Sequence, residues 1–285
     1  MKNSIFLITA FAALVSCHKG EIPVSDEIRF ELNMPATKAT ANAFEVGDEV
    51  ALFAVEHNGE ETPELQIGGN HINNERLTFD GTEWIARRKL YWSDKPCDFY
   101  ALYPYTDLAS IDEHYFEIAE DQNINDGYEI SDLLFAKTEK VDRADGKVAL
   151  QFKHMMSKCV VTITKGAMFE GEIPDDIVTH IYNTTTSGIL NFANGSLQKN
   201  SVGLRKTITM KKISNTLFEA VVIPQNIERR TPLIEVTMGG IAYLLEYSLS
   251  FKPGYVHTIN LIVNTSPDQE KIEISIDAGV DDWGN

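Results

Sequence analysis

Residues 27–34 read EIRFELNM, a run in which every second residue is apolar. The apolar members are Ile28, Phe30, Leu32 and Met34, and charged or polar residues stand between them. Successive side chains of a β-strand point to opposite faces of a sheet, so this alternation predicts a strand with one buried face. Pro35 interrupts the pattern, and the strand is expected to end there.

Short strand-like runs recur along the rest of the chain, separated by turn residues. Asp80-Gly81 lies between two of them and favours a tight hairpin. No window of a dozen residues has the 3.6-residue period of an amphipathic helix. The pattern predicts an all-β protein built as a sandwich or barrel. The predicted strands are 50–55, 77–79, 83–85, 89–92, 99–103, 148–152, 160–164, 179–182, 188–192, 207–210, 217–223, 233–238, 242–251, 256–263 and 272–276.

The length of 285 residues allows two domains or one large all-β domain. Gly166, Gly171 and Pro174 follow the predicted strand 160–164 closely. Such a cluster of turn residues favours a boundary near residue 165. We therefore predict an N-terminal domain over 27–165 and a C-terminal domain over 166–285.

The N-terminus has the features of a lipoprotein signal peptide. Lys2 precedes an apolar run over 5–15, which ends at Leu14-Val15-Ser16-Cys17, the pattern of a bacterial lipobox. We predict a signal segment over 1–17, acylation of Cys17 and a polar tether over 18–26; a plain secretory signal is the alternative. The apolar run is too short to span a bilayer. The chain is thus expected to be exported and held at the membrane by lipid.

The formal net charge is −17, and it becomes −18 when Lys2 is removed with the signal. Such a charge argues against nucleic acid or anionic lipid headgroups as partners. A disulfide between Cys97 and Cys159 remains an alternative. Cys159 lies in an apolar run, where a free thiol is common. No Cys/His pattern predicts a metal, and no cofactor is predicted.

Two motifs resemble functional sites, a calcium-binding loop and a catalytic histidine, but each lacks residues that such a site needs. Residues 121–132 resemble a calcium loop, but Asp126 stands where the loop needs Gly and Asp132 where it needs Glu. His154 has no nucleophile motif to serve, so a structural histidine is favoured. Neither G-x-S-x-G nor H-E-x-x-H occurs in the chain. We predict no catalytic residue.

Aromatic residues offer a further alternative. Five of them could form a carbohydrate platform, but aromatic residues in strands more often belong to the core. Trp283, which follows Asp281-Asp282, is expected to cover an apolar face at the end of the last strand. The five platform candidates are Tyr91, Trp92, Tyr100, Tyr103 and Tyr105.

An ordered set of motifs resembles the fimbrillin family of Bacteroidota, the Mfa-like or FimA-like proteins. The motifs are the lipobox at Cys17, Thr37-Lys38-Ala39-Thr40 leading to Phe44 and Gly47-Asp48, Leu90-Tyr91-Trp92, Phe99-Tyr100-Ala101-Leu102-Tyr103-Pro104-Tyr105, Ser131-Asp132-Leu133-Leu134, Phe152-Lys153-His154, Val222-Ile223-Pro224-Gln225 and Asp282-Trp283. The resemblance implies two tandem transthyretin-like Greek-key β-sandwich domains. It also implies a place in outer-membrane fimbriae, with other fimbrial subunits and a host or bacterial surface ligand as partners.

The family polymerises by strand exchange after a protease removes the N-terminal strand. Carried to this chain, the strand of Ile28, Phe30, Leu32 and Met34 would be a removable plug, and Lys38 the candidate cleavage site, with Arg29 less favoured. An incoming strand would refill the vacated pockets and bond the open edge. Ile272, Ile274 and Ile276 have the same period and are the candidate donor strand.

The chain ends two residues after Trp283, which leaves no spare tail for donation. A tip, anchor or non-polymerising role is therefore expected before a stalk role. A surface glycan-binding lipoprotein is the alternative of a different class, and an enzyme is the least favoured.

Overall fold

The structure is a computed structural model that describes residues 26–35, 43–265 and 274–284. The predictions for the signal segment, for Cys17, for Lys38 and for Ile272 lie outside the described residues.

The described residues form 22 β-strands and two short 3-10 helices, Glu129–Ser131 and Arg143–Asp145, and they contain no α-helix. The all-β prediction is confirmed. Within this part of the chain no helix is long and apolar enough to cross a bilayer. The strands are β1 Phe30–Asn33, β2 Glu49–Glu56, β3 Ile72–Phe79, β4 Trp84–Ala86, β5 Cys97–Tyr103, β6 His114–Glu117, β7 Leu134–Val141, β8 Val148–Gln151, β9 Lys153–His154, β10 Ser157–Met168, β11 Val178–Thr185, β12 Ser187–Asn191, β13 Ser196–Lys199, β14 Arg205–Thr209, β15 Lys211–Ser214, β16 Leu217–Val222, β17 Gln225–Ile227, β18 Pro232–Met238, β19 Ile241–Glu246, β20 Leu249–Phe251, β21 Tyr255–Thr265 and β22 Ile274–Asp282.

A six-stranded sheet in the order β4-β3-β2-β5-β7-β9 forms the centre of the N-terminal half. Strand β2 is buried on both faces, which explains its continuous apolar sequence from Val50 to Val55. On one face the sheet meets β1 and β8, which pair in parallel. We call the apolar cluster on this face the β1 core; its buried members include Ile28, Leu32, Leu52, Phe99, Leu134, Val148, Leu150 and Phe152.

The opposite face of the same sheet belongs to a second core that continues into the C-terminal half. Phe192, which directly follows β12, packs against Phe53 of β2, Tyr100 of β5 and Phe135 of β7 with ring centroids 5.2–6.1 Å apart. Strand β12 lies between β6 and β13 in a three-stranded sheet. Aromatic packing of this kind adds to the free energy of area burial.

Two larger sheets form most of the C-terminal half. One has the order β15-β16-β10-β21-β22, and the other has the order β14-β11-β18-β19. Strands β17 and β20 form a short pair. In the first sheet β10 and β21 are parallel neighbours, from Lys158 opposite Val256 to Met168 opposite Thr265.

The predicted domain boundary near residue 165 falls inside β10. In addition, the β6-β12-β13 sheet combines residues from both sides of that position. Tandem Greek-key domains over 27–165 and 166–285 therefore stay a prediction.

Two local predictions need correction. Residues 89–92 are not a strand; they share one isolated bridge, Glu27 with Tyr91, with the segment just before β1. The Asp80-Gly81 hairpin exists, but its connection runs over 80–83 because Phe79 pairs with Trp84. The Asp80 carboxylate accepts the backbone N–H groups of Glu83 and Thr82, which lower its pKa and fix the turn.

Candidate functional site

The backbone of the segment 27–34, which contains β1, is bonded on two sides near its start. Val148 N donates to Arg29 O at 2.8 Å and Phe152 N donates to Asn33 O at 3.0 Å, which ties β1 to β8. On the other side, Ile28 N donates to Leu90 O at 2.8 Å. The segment is thus inserted between β8 and residues 90–92 at its beginning.

The apolar side chains of the segment 27–34 point into the β1 core as the alternating sequence predicts. Ile28 and Leu32 are 6% and 7% exposed, and the half-buried Phe30 and Met34 pack against the same cluster. The Phe30 ring meets the edge of Phe99 with centroids 6.5 Å apart. Full burial of such a side chain contributes about 1.5–3 kcal/mol, so apolar packing is the main force that holds this segment.

The ion pairs around β1 contribute little to the free energy that holds the segment in place. Lys89 Nζ lies 2.8 Å from Glu27 Oε2, Lys147 pairs with Glu31, and Arg143 pairs with Asp26. The hydrogen bond that Lys89 donates to the Glu27 carboxylate raises the pKa of Lys89. These pairs are solvent-exposed, and exposed ion pairs contribute between zero and about 1 kcal/mol.

Two of the three candidate donor residues, Ile274 and Ile276, lie near the other end of the chain in β22. Ile274 is opposite Val263 and Ile276 is opposite Leu261, because β22 pairs antiparallel with β21 at the edge of the five-stranded sheet. Residues 277–282 of this strand are exposed. Among the described strands, β21 is the one that pairs with β22, and an edge strand of this kind is a template for pairing with another chain.

Three of the family-like motifs meet in one cluster, which we call the C-terminal clasp: Asp132, His154 and Trp283. The Trp283 ring stacks on the His154 ring at 3.7 Å with an interplanar angle of 2°. His154 Nδ1 lies 2.9 Å from Asp132 Oδ1. Trp283 is 4% exposed, and its backbone N–H donates to Gly254 O at 2.8 Å. The arrangement supports the structural interpretation of His154 and ties the last strand to the N-terminal half.

The aromatic platform, which was the less favoured alternative for these five residues, is not assembled. Tyr91 is 53% exposed, whereas Tyr100 is buried beside Phe192, and Tyr105 lies under the guanidinium of Arg76. Trp92 packs on Phe99, and Tyr103 packs on Phe44. The five residues therefore share no surface for a sugar ring.

The other candidate ligands are also placed in the fold. The two cysteines are free and buried, and burial raises the pKa of each thiol to about 12, with Glu56 and Asp98 adding to the effect at Cys97. In the loop at 121–132, Asp132 contacts His154 instead of the loop. No group of three or more His, Cys, Asp or Glu side chains in the described ranges could hold a metal ion.

Two buried glutamines act as backbone partners, which the sequence did not reveal. The Gln122 amide donates to Val221 O and accepts from Val221 N, both at 2.8 Å. Gln225 does the same for Thr185, with Thr185 N donating at 2.9 Å and the amide donating to Thr185 O at 3.0 Å. Each amide replaces a missing neighbouring strand. The one signal was the position of Gln225 in the Val222-Ile223-Pro224-Gln225 motif.

The fold resembles several solved structures from Bacteroides. A candidate cell adhesion protein from Bacteroides uniformis is 22% identical, with a TM-score of 0.68 over 90% of this chain and 98% of that one. A candidate cell adhesion protein from Bacteroides ovatus is 15% identical, with a TM-score of 0.71 over 90% and 97%. A fimbrial protein from Bacteroides vulgatus is 14% identical, with a TM-score of 0.53 over 90% and 99%. At these identities the likeness concerns the fold.

The fold is that of an all-β protein whose N-terminal strand β1 pairs with β8 and packs on the β1 core. The family model described as fimbrillin-like matches residues 37–283. The chain belongs to the fimbrillin-like family, as the resemblance of its motifs indicated. The comparison with curated proteins found no match.

Proposed function

We propose that the protein is a fimbrial subunit or fimbrillin-like surface adhesion lipoprotein that assembles by strand exchange once β1 is removed. The observation that carries this proposal is the seat of β1. The four-residue strand β1 and the residues beside it place Ile28 and Leu32 in the β1 core, with Phe30 and Met34 packed against it. Family membership gives the proposal its biological setting.

Loss of β1 would leave two unsatisfied features together. The sockets of Ile28 and Leu32 would open in the β1 core, and the edge of β8 would lose its partner. Another extended segment with apolar residues at every second position restores both, which is strand addition. Cleavage after Lys38 is the proposed trigger, because this basic residue lies shortly after β1.

The donor proposed for a neighbouring subunit is the strand with Ile272, Ile274 and Ile276. In the monomer the last two residues lie in β22, which is bonded to β21. Donation from this strand therefore requires that β22 leave the five-stranded sheet. A neighbouring subunit that donates a different strand would not have to break the pairing of β22 with β21. The assembly experiment below therefore separates a stalk subunit, which both accepts and donates a strand, from a tip or anchor subunit.

The proposal is tested by making β1 removable on demand. Residues 36–42 are replaced by a seven-residue site for a specific protease, and the cleaved protein is separated from the β1 peptide in denaturant and refolded. We expect concentration-dependent oligomers or fibres in gel filtration and electron microscopy. The exposed apolar sockets and the unpaired edge of β8 would be covered by a strand from another molecule. A synthetic peptide of residues 27–34 in excess should suppress the oligomers.

The matched control is the same variant carried uncleaved through denaturant and refolding, so that β1 stays covalently attached. After refolding it should stay monomeric. A fragment starting at Ala43 that is free of the peptide, folded and monomeric at high concentration contradicts strand exchange. The protein is then a non-polymerising surface lipoprotein of the same fold.

Acylation of Cys17 is a separate prediction. The Cys17→Ser variant should remain unprocessed or leave the membrane fraction, because the lipid-bearing thiol is gone. Membrane partitioning and mass spectrometry of the N-terminal peptide measure the effect. Unchanged partitioning without a lipid adduct in the native protein would exclude a lipid anchor at this residue.

A further inference from the structure

A cleft of about 950 Å³ lies beside β1 on the side opposite β8. Its walls are residues 27–31, the segment 82–90 and residues 145–147. Volumes of this size are typical of sites for small ligands. Strand exchange makes no use of this cleft while β1 is in place.

Two open strand edges face each other across the cleft. The carbonyls of Arg29 and Asn33 accept hydrogen bonds from the β8 side, so the backbone groups of Phe30 point to the other side. Strand β4 is the edge strand of the six-stranded sheet. However, Cα atoms of β1 and β4 come within 8 Å of each other. Two strands that flank a third need a separation of roughly 9.5 Å, so the gap is too narrow for an inserted peptide strand.

The lining is unusually basic for this chain. Five basic and four acidic residues line the cleft, whereas the whole sequence has 25 basic and 42 acidic residues. Lys89, Lys147 and Arg88 are paired with Glu27, Glu31 and Glu75. Among the described residues, no ion pair or side-chain hydrogen bond engages the exposed guanidinium groups of Arg29 and Arg87.

We propose that this cleft binds an anionic saccharide, a sugar that carries carboxylate or sulfate groups. Arginine donates paired hydrogen bonds to such groups, and Arg29 and Arg87 are available for them. The carboxylates of Glu83 and Asp145 on the rim would repel a compact polyphosphate, but they accept hydrogen bonds from sugar hydroxyls. The proposal depends neither on strand exchange nor on a lipid anchor.

Calorimetric titration of the uncleaved protein at low ionic strength tests the proposal. The probes are a heparin hexasaccharide, which is sulfated, and a hexamer of galacturonic acid, which is carboxylated. We expect one of them to bind, and the double variant Arg29→Gln/Arg87→Gln to lose at least about tenfold in affinity. Both residues are exposed, so the variant should keep the unfolding temperature of the native protein.

The matched control is Arg205→Gln/Arg229→Gln, which removes two exposed arginines that do not line the cleft and should keep the native affinity. Dextran should give no heat of binding because it is uncharged. The proposal is overturned if neither anionic probe binds, or if both double variants lose affinity equally. Equal binding of polyglutamate overturns it as well, because the cleft would then recognise an acidic peptide.

Discussion

Replacing Trp283 by alanine is expected to lower the free energy of unfolding by about 3–5 kcal/mol. The ring is buried among apolar side chains and covers one face of His154, so its removal leaves a cavity that the surrounding strands cannot close. It also exposes the His154–Asp132 hydrogen bond to water. Chemical denaturation monitored by circular dichroism measures the change.

Val280→Ala is the matched control on the same strand. Val280 is half-exposed and lies opposite His257, so truncation should change stability by no more than about 0.5 kcal/mol. Trp283→Phe keeps an aromatic ring against His154 and should lie between the two. If Trp283→Ala unfolds within about 1 kcal/mol of the native protein, the clasp does not hold the last strand.

The strand content of this protein was predictable because its signal is local. The alternation at 27–34 produced β1, and the apolar run at 50–55 lies inside β2. The structure places Ile28 and Leu32 in the β1 core, as their spacing predicts. In each case the periodicity of neighbouring residues carries the information.

Other strands and all partnerships were not predictable in this way. Strand β7 was missed because Lys137, Glu139 and Lys140 interrupt its apolar residues. The parallel pairs of β1 with β8 and of β10 with β21 join segments about one hundred residues apart, and pairing at that distance leaves no local pattern. The amides of Gln122 and Gln225 look in the sequence like ordinary polar loop residues, because their backbone partners are defined by the fold.

The site shows the same division. Sequence motifs identified Asp132, His154 and Trp283 one by one, but their contact in a single clasp emerges from the three-dimensional structure. From the sequence, the five aromatic residues were also candidates for a carbohydrate-binding platform. Burial of Tyr100 and the separate packing of Trp92 and Tyr103 remove that surface. Side-chain direction, which decides both results, depends on which sheet face each strand covers.

A second large effect is expected at Leu32, in the middle of β1. The Leu32→Asp variant would bury a charge in the β1 core, where the residue opposite is Leu150. Burial of an unpaired carboxylate is costly enough that β1 should leave its seat instead. The loss of unfolding free energy is then limited to what the segment contributes, about 3–6 kcal/mol for the two buried side chains of Ile28 and Leu32.

Hydrogen exchange reports directly on this release. The N–H groups of Val148 and Phe152 are bonded to Arg29 and Asn33 of the β1 segment, so their exchange should accelerate at least about a hundredfold in Leu32→Asp. Asn33→Asp adds the same charge at the exposed neighbouring position and should leave both amides protected. Native protection in Leu32→Asp would mean that β1 is not a separable strand. Faster exchange at these two amides, with the amides of β10 still protected, would show that β1 can leave while the rest of the protein stays folded, which strand exchange requires.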